Sequence, residues 1–80
     1  MILQKKNILK KRFYMRIEIL IRKIREEKGI SINQLSKMTG ISKGHLSRIE
    51  NQETMPTILT IERIAIALKI DSKELYKTIK

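Results

Sequence analysis

An all-α domain of five helices is the fold class this sequence predicts, and three observations carry that expectation. Ile, Leu and Ala recur at three- and four-residue spacing along most of the chain from Arg16 onward. Ser31, Ser42, Thr57 and Asp71 each stand just ahead of such a stripe, where a side-chain oxygen can cap a helix. No segment gives a clear strand signal, so none is expected.

In chain order, helix one is predicted over Arg16 to Lys28: Ile17, Leu20, Ile21 and Ile24 form the apolar stripe, charges take the other face, and Gly29 is the stop. Ser31, followed three residues later by Gln34, is a capping-box pair that opens a short second helix from Ile32 to about Thr39. Gly40 ends it in the left-handed conformation that glycine adopts most cheaply. Ser42 caps a third helix through Glu50, with Leu46 and Ile49 pointing inward. After the polar loop Asn51 to Pro56, Thr57 caps a fourth, whose stripe is Ile58, Ile61, Ile64, Ala65 and Leu68. Asp71 and Glu74 repeat the capping box for a terminal helix through Ile79. Met15, Met38 and Met55 read as core filler.

Composition narrows the class of protein. Eighty residues build one modest core. There is no cysteine, which excludes a disulfide framework and thiolate metal sites. Eighteen Lys and Arg against eight Asp and Glu leave a net charge of +10, so the natural partner is a polyanion. Six of those bases, Lys5, Lys6, Lys10, Lys11, Arg12 and Arg16, fall in residues 1–16 with no acid among them. The expected organisation is therefore a basic N-terminal extension, residues 1–15, followed by a helical domain, residues 16–80. Apolar runs are too short for a membrane span or a signal peptide, and a soluble cytoplasmic protein with no membrane partner is expected. No catalytic constellation, phosphate loop or metal spacing occurs; His45 is the single histidine, and the reading is a non-enzyme without cofactor or metal.

The segment TGISKGHLSRIE carries the functional signal. On a helix from Lys43 to Glu50, rotation of about 100° per residue sets Gly44, Ser47, Arg48 and Asn51 opposite Leu46 and Ile49, with Lys43 and His45 on the flanks. Such a face is small, polar and basic, and the helix before it is joined by a short glycine-containing turn. That pair describes a helix-turn-helix. A DNA major groove admits a helix; Arg and Lys donate to guanine, and Ser contacts any base edge. Gly44 permits close approach of the backbone, at a helix-propensity cost of roughly 1 kcal/mol relative to alanine.

Residues 17 to 76 resemble the lambda-repressor-like, Cro-type helix-turn-helix family, in IRKIREEKGISINQLSKMTGISKGHLSRIENQETMPT and in the IERIAIALKI and ELY elements behind it. The resemblance implies base contacts from Lys43, Gly44, Ser47 and Arg48. It also implies phosphate contacts from Asn33, Gln34, Ser42, His45, Asn51, Thr54 and Thr57. An ion pair between Arg25 and Glu50 would tie helix one to helix three, and Ile70, Tyr76 and Ile79 would contribute to a dimer interface. Three positions depart from the family pattern: Ile32 stands where a phosphate-contacting Gln is frequent, Ser36 replaces the usual alanine, and Gln52 stands where glycine is common. The function so implied is a transcription regulator, a repressor, bound as a homodimer to an inverted repeat in double-stranded DNA. Rival readings are a DNA-binding antitoxin that holds a partner protein, for which only residues 1–14 offer a spare segment, and a basic membrane-surface or RNA-binding module.

Overall fold

The computed structural model describes residues 16–79; the basic segment 1–15, with Met15, and Lys80 lie outside the described residues. The order of elements is β1 (Arg16–Ile19), α1 (Ile21–Glu27), α2 (Ile32–Thr39), α3 (Lys43–Glu50), α4 (Ile58–Leu68), a 3₁₀ turn (Ser72–Leu75) and β2 (Tyr76–Ile79). Ile21 of α1, Leu35 of α2, Leu46 and Ile49 of α3, Ile64 and Leu68 of α4 and Leu75 of the 3₁₀ turn are fully buried together. Each helix therefore gives its apolar stripe to one shared core.

Local chemistry sets the boundaries of the middle three helices. Ser31 Oγ accepts from the Gln34 amide at 3.1 Å while Gln34 Oε1 accepts from the Ser31 amide at 2.7 Å, closing the capping box of α2. Ser42 Oγ accepts from His45 N and Thr57 Oγ1 from Thr60 N, each at 3.1 Å, which satisfies one otherwise orphaned donor per helix. Gly40 ends α2 at φ +76°, a conformation that a side chain would strain.

The two ends of the described chain correct the five-helix expectation. Arg16–Ile19 is a strand rather than the first turns of helix one, and it pairs antiparallel with Tyr76–Ile79, which replaces the second half of the expected terminal helix. The register sets Glu18 opposite Lys77, and the two charges meet at 3.4 Å. Asp71 and Glu74 do form a capping box, but it opens only a 3₁₀ turn. At Tyr76 the backbone becomes extended, φ −153° and ψ 159°, and the chain turns back along β1. The Leu20 amide donates to the Leu75 carbonyl at 2.8 Å, continuing the ladder up to the start of α1. Methionine is also corrected: Met38 and Met55 are half exposed and fill no core. Among the described residues, no helix is long and apolar enough to cross a membrane.

Candidate nucleic-acid interface

Two hydroxyl side chains fix the turn between α2 and α3. Thr39 Oγ1 donates to the Leu35 carbonyl at 2.8 Å and accepts from the Ile41 amide at 3.1 Å. Ser36 Oγ donates to the Ile41 carbonyl at 2.6 Å. Ile41 is thereby held through both its peptide groups while its side chain enters the core. Ser36 thus adds a tether that the alanine common at this position lacks, without the bulk that would part the helices.

On α3, Lys43, Gly44 and Arg48 are exposed, and His45 and Ser47 are half-buried. A Cβ added to Gly44 would meet no heavy atom within 4 Å, so the packing of the described residues does not require glycine there. Asn33, Gln34, Ser42, Asn51 and Thr57 are exposed and Thr54 half-buried. Several of these already serve the fold. Gln34 and Ser42 cap helices through an oxygen, which leaves the Gln34 NH₂ and the Ser42 hydroxyl proton as donors. Thr57 spends its proton on Thr60 Oγ1 at 3.0 Å, and Asn51 accepts from Arg22 through Oδ1.

The C-terminal end of α3 is anchored by charge. Glu50 is buried, its side chain 1% exposed, and it accepts from Arg25 Nε at 2.8 Å through Oε2 and from Arg25 Nη2 at 2.9 Å through Oε1. This two-pronged geometry suits a planar guanidinium. Arg25 also donates through Nη1 to the Ile30 carbonyl at 3.0 Å, so one side chain holds the end of α1, the following turn and α3. The hydrogen bond to Glu50 raises the Arg25 pKa above its ordinary value, against the opposing effect of burial. Arg22, one turn earlier on α1 and half exposed, reaches Glu50 Oε1 at 3.4 Å and bridges it to Asn51.

Two side chains do structural work that sequence reasoning did not assign: Arg22, which it passed over, and Gln52, which it marked only as a departure from glycine. Arg22 precedes Arg25 by three residues, so the two share a helix edge, and that spacing was the available signal. Gln52 occupies the left-handed region at φ +63°, where the family commonly places glycine. Its amide oxygen accepts from the Ile19 amide at 3.1 Å and its Nε2 donates to the Ile19 carbonyl at 3.0 Å. In an antiparallel ladder alternate residues face the partner strand; Leu20 does so, and the peptide groups of Ile19 face the other way. A glutamine side chain therefore pairs with the outer edge of β1 as a neighbouring strand would. Ile32, the third departure, is half-buried and packs against the core, while Asn33 and Gln34 beside it are exposed.

Of the expected dimer residues, Ile70 packs against the core, Tyr76 is 38% exposed and Ile79 is half-buried on β2.

Known proteins resemble this chain in sequence and in fold. A helix-turn-helix family profile matches residues 21–75. The HTH-type transcriptional regulator SlrR of Bacillus subtilis is 38% identical over 58 residues, covering 71% of this chain and 38% of that protein. The HTH-type transcriptional repressor RghR, also of Bacillus subtilis, is 43% identical over 51 residues, covering 62% of this chain and 38% of that one. The chain thus spans well under half the length of these two relatives. Among solved structures, the restriction-modification controller protein C.AhdI from Aeromonas hydrophila superimposes with a TM-score of 0.65 at 26% identity, over 68% of this chain and 82% of that one. The chain belongs to the lambda-repressor-like, Cro-type helix-turn-helix family.

Proposed function

We propose that this protein is a sequence-specific regulator of transcription that binds double-stranded DNA with α3 in the major groove and acts as a repressor. The observation that carries this reading is the outward face of α3, where Lys43, Gly44, Ser47 and Arg48 are backed by a rigidly capped and ion-paired helix. Arg48 is the principal reader of a base edge, since it is exposed and carries five fixed donors. Lys43, at the helix start, reaches a base or a phosphate. Asn33, the Gln34 NH₂, the Ser42 hydroxyl, His45, the Asn51 NH₂, Thr54 and the Thr57 backbone amide supply phosphate contacts, which fix register without reading sequence. Repression is supported by the name of RghR, a repressor.

The protein works as a homodimer on an inverted repeat, with half-sites roughly 34 Å apart, one turn of DNA. Selection of bound duplexes from a random pool tests the whole reading. Enrichment of an inverted repeat is the expected result. A pool that stays random while bound by the protein would reduce it to a nonspecific polyanion binder, and a single unrepeated site would remove the dimer.

A further inference from the structure

The outward face of α4 is unusual for a helix whose inward stripe already fills the core. Ile61, Ile64, Ala65 and Leu68 are buried, yet Ile58, Leu59 and Ile66 are 82%, 66% and 74% exposed. Leu59 and Ile66 are seven residues apart, hence on one face, separated by about 10 Å along the axis. Between them lie Glu62 and Arg63, both exposed and neither paired with an opposite charge among the described residues. The order along this face is apolar, acid, base, apolar. Leu59 stands three residues before Glu62, and Ile66 three residues after Arg63.

That order is its own complement when the helix is reversed. We infer that the seam of the homodimer proposed above is this face, α4 packing antiparallel on α4 of a second copy, the two-fold axis crossing between Glu62 and Arg63. Leu59 of one protomer covers Ile66 of its partner, and Glu62 meets Arg63, each pair occurring twice. A parallel arrangement would set Glu62 on Glu62 and Arg63 on Arg63, which like charges oppose. The second copy is a better occupant than a foreign partner because both halves of the charge pattern are already present on one helix. The seam rests on the dimer reading and adds its location and polarity, moving the interface away from Ile70, Tyr76 and Ile79.

Cysteine cross-linking tests it on the full chain, which has no cysteine of its own. Leu59→Cys and Ile66→Cys are prepared separately, checked for native helicity, and oxidised alone and as a mixture. The mixture is expected to yield a covalent heterodimer while either variant alone yields little. Cross-linking of each variant with itself would overturn the antiparallel polarity. A dimer by sedimentation with no cross-link in any arm would place the interface elsewhere, leaving the dimer reading intact; a monomer in sedimentation and on a single half-site would sink both. Charge reversal gives an independent readout. Glu62→Arg alone and Arg63→Glu alone should each weaken dimerisation about tenfold, and the double exchange should recover it, because only opposed charges attract. Failure of the double exchange to recover would overturn the pairing.

Discussion

α3 and α4 are both capped by a hydroxyl and both bury an apolar stripe, but their outward faces differ in kind. The outer face of α3 is lysine, glycine, serine and arginine, while α4 presents leucine and isoleucine around one acid and one base. Their inward faces differ as well: α3 buries Glu50 against two guanidinium groups, whereas α4 buries only hydrocarbon. Core formation explains neither outer face. A polar, basic surface suits a hydrated polyanion whose counterions it displaces, and an apolar one suits a partner that removes it from water. The helix with the polar outer face is also the one fastened by ion pairs, which limits its freedom to tilt.

The largest expected effect breaks that fastening. Arg25→Ala or Glu50→Ala should lower unfolding stability by about 3 kcal/mol, because the first leaves Glu50 buried with only the half-exposed Arg22 beside it and the second leaves the guanidinium of Arg25 charged and partly buried. The double variant should lose less than the two losses added. Urea titration decides it, and wild-type midpoints for both single variants would mean that the inner face of α3 tolerates an unpaired charge.

Next comes the contrast between outer faces. Arg48→Ala should cost ~1 to 3 kcal/mol on the preferred operator and relax choice at one base pair per half-site. Arg63→Ala, on α4, should weaken binding only through the dimer seam and leave the choice of base within each half-site unchanged. Binding to operator and to random duplex separates the two outcomes: equal loss on both DNAs would make Arg48 a phosphate contact.

Gln52→Ala should destabilise by about 1 to 2 kcal/mol, since it keeps the left-handed backbone and loses two hydrogen bonds to Ile19. Gln52→Gly loses the same bonds but relieves the backbone, so it should melt above Gln52→Ala. The reverse order would mean that the left-handed backbone carries no strain here, and a wild-type midpoint for Gln52→Ala would make the hydrogen bonds incidental.

The smallest effect has opposite signs in two assays. Gly44→Ala should raise stability by roughly 1 kcal/mol, as alanine is the better helix former and its methyl group meets open space. It should also weaken operator binding. Unchanged binding would mean that the groove does not approach the backbone at this point.

The middle of the fold was legible because α2, α3 and α4 each announce themselves twice, by a cap and by a stripe. The ends were not. Arg16–Ile19 contains Ile17 and Ile19 two residues apart, a strand period, yet Ile17, Leu20, Ile21 and Ile24 also satisfy a helical one. What settles the choice is β2, at the opposite end of the described chain, and no local window weighs a partner so distant. The Asp71–Glu74 capping box shows the same limit: it marks where a turn of helix starts and says nothing about how long it runs. In the candidate site, the outward face of α3 followed from a helical wheel alone. The tether made by Gln52 did not, because a polar residue in a loop gives no sign of which peptide group it will reach.

The pairing of β1 with β2 separates two motions that adjacent amides can time. Helical segments assemble from near neighbours, while strands from opposite ends of a chain must first close a long loop, so this pairing is expected to form late and open early. The Leu20 amide, bonded to Leu75, exchanges its hydrogen whenever the 3₁₀ turn and β2 lift away. The Ile19 amide, bonded to Gln52, is released only when β1 leaves the end of α3. Hydrogen exchange at these two consecutive residues thus distinguishes loss of the C-terminal strand from loss of support at the end of α3, and slower exchange at Ile19 would show that α3 keeps its anchor while the strand pair breathes.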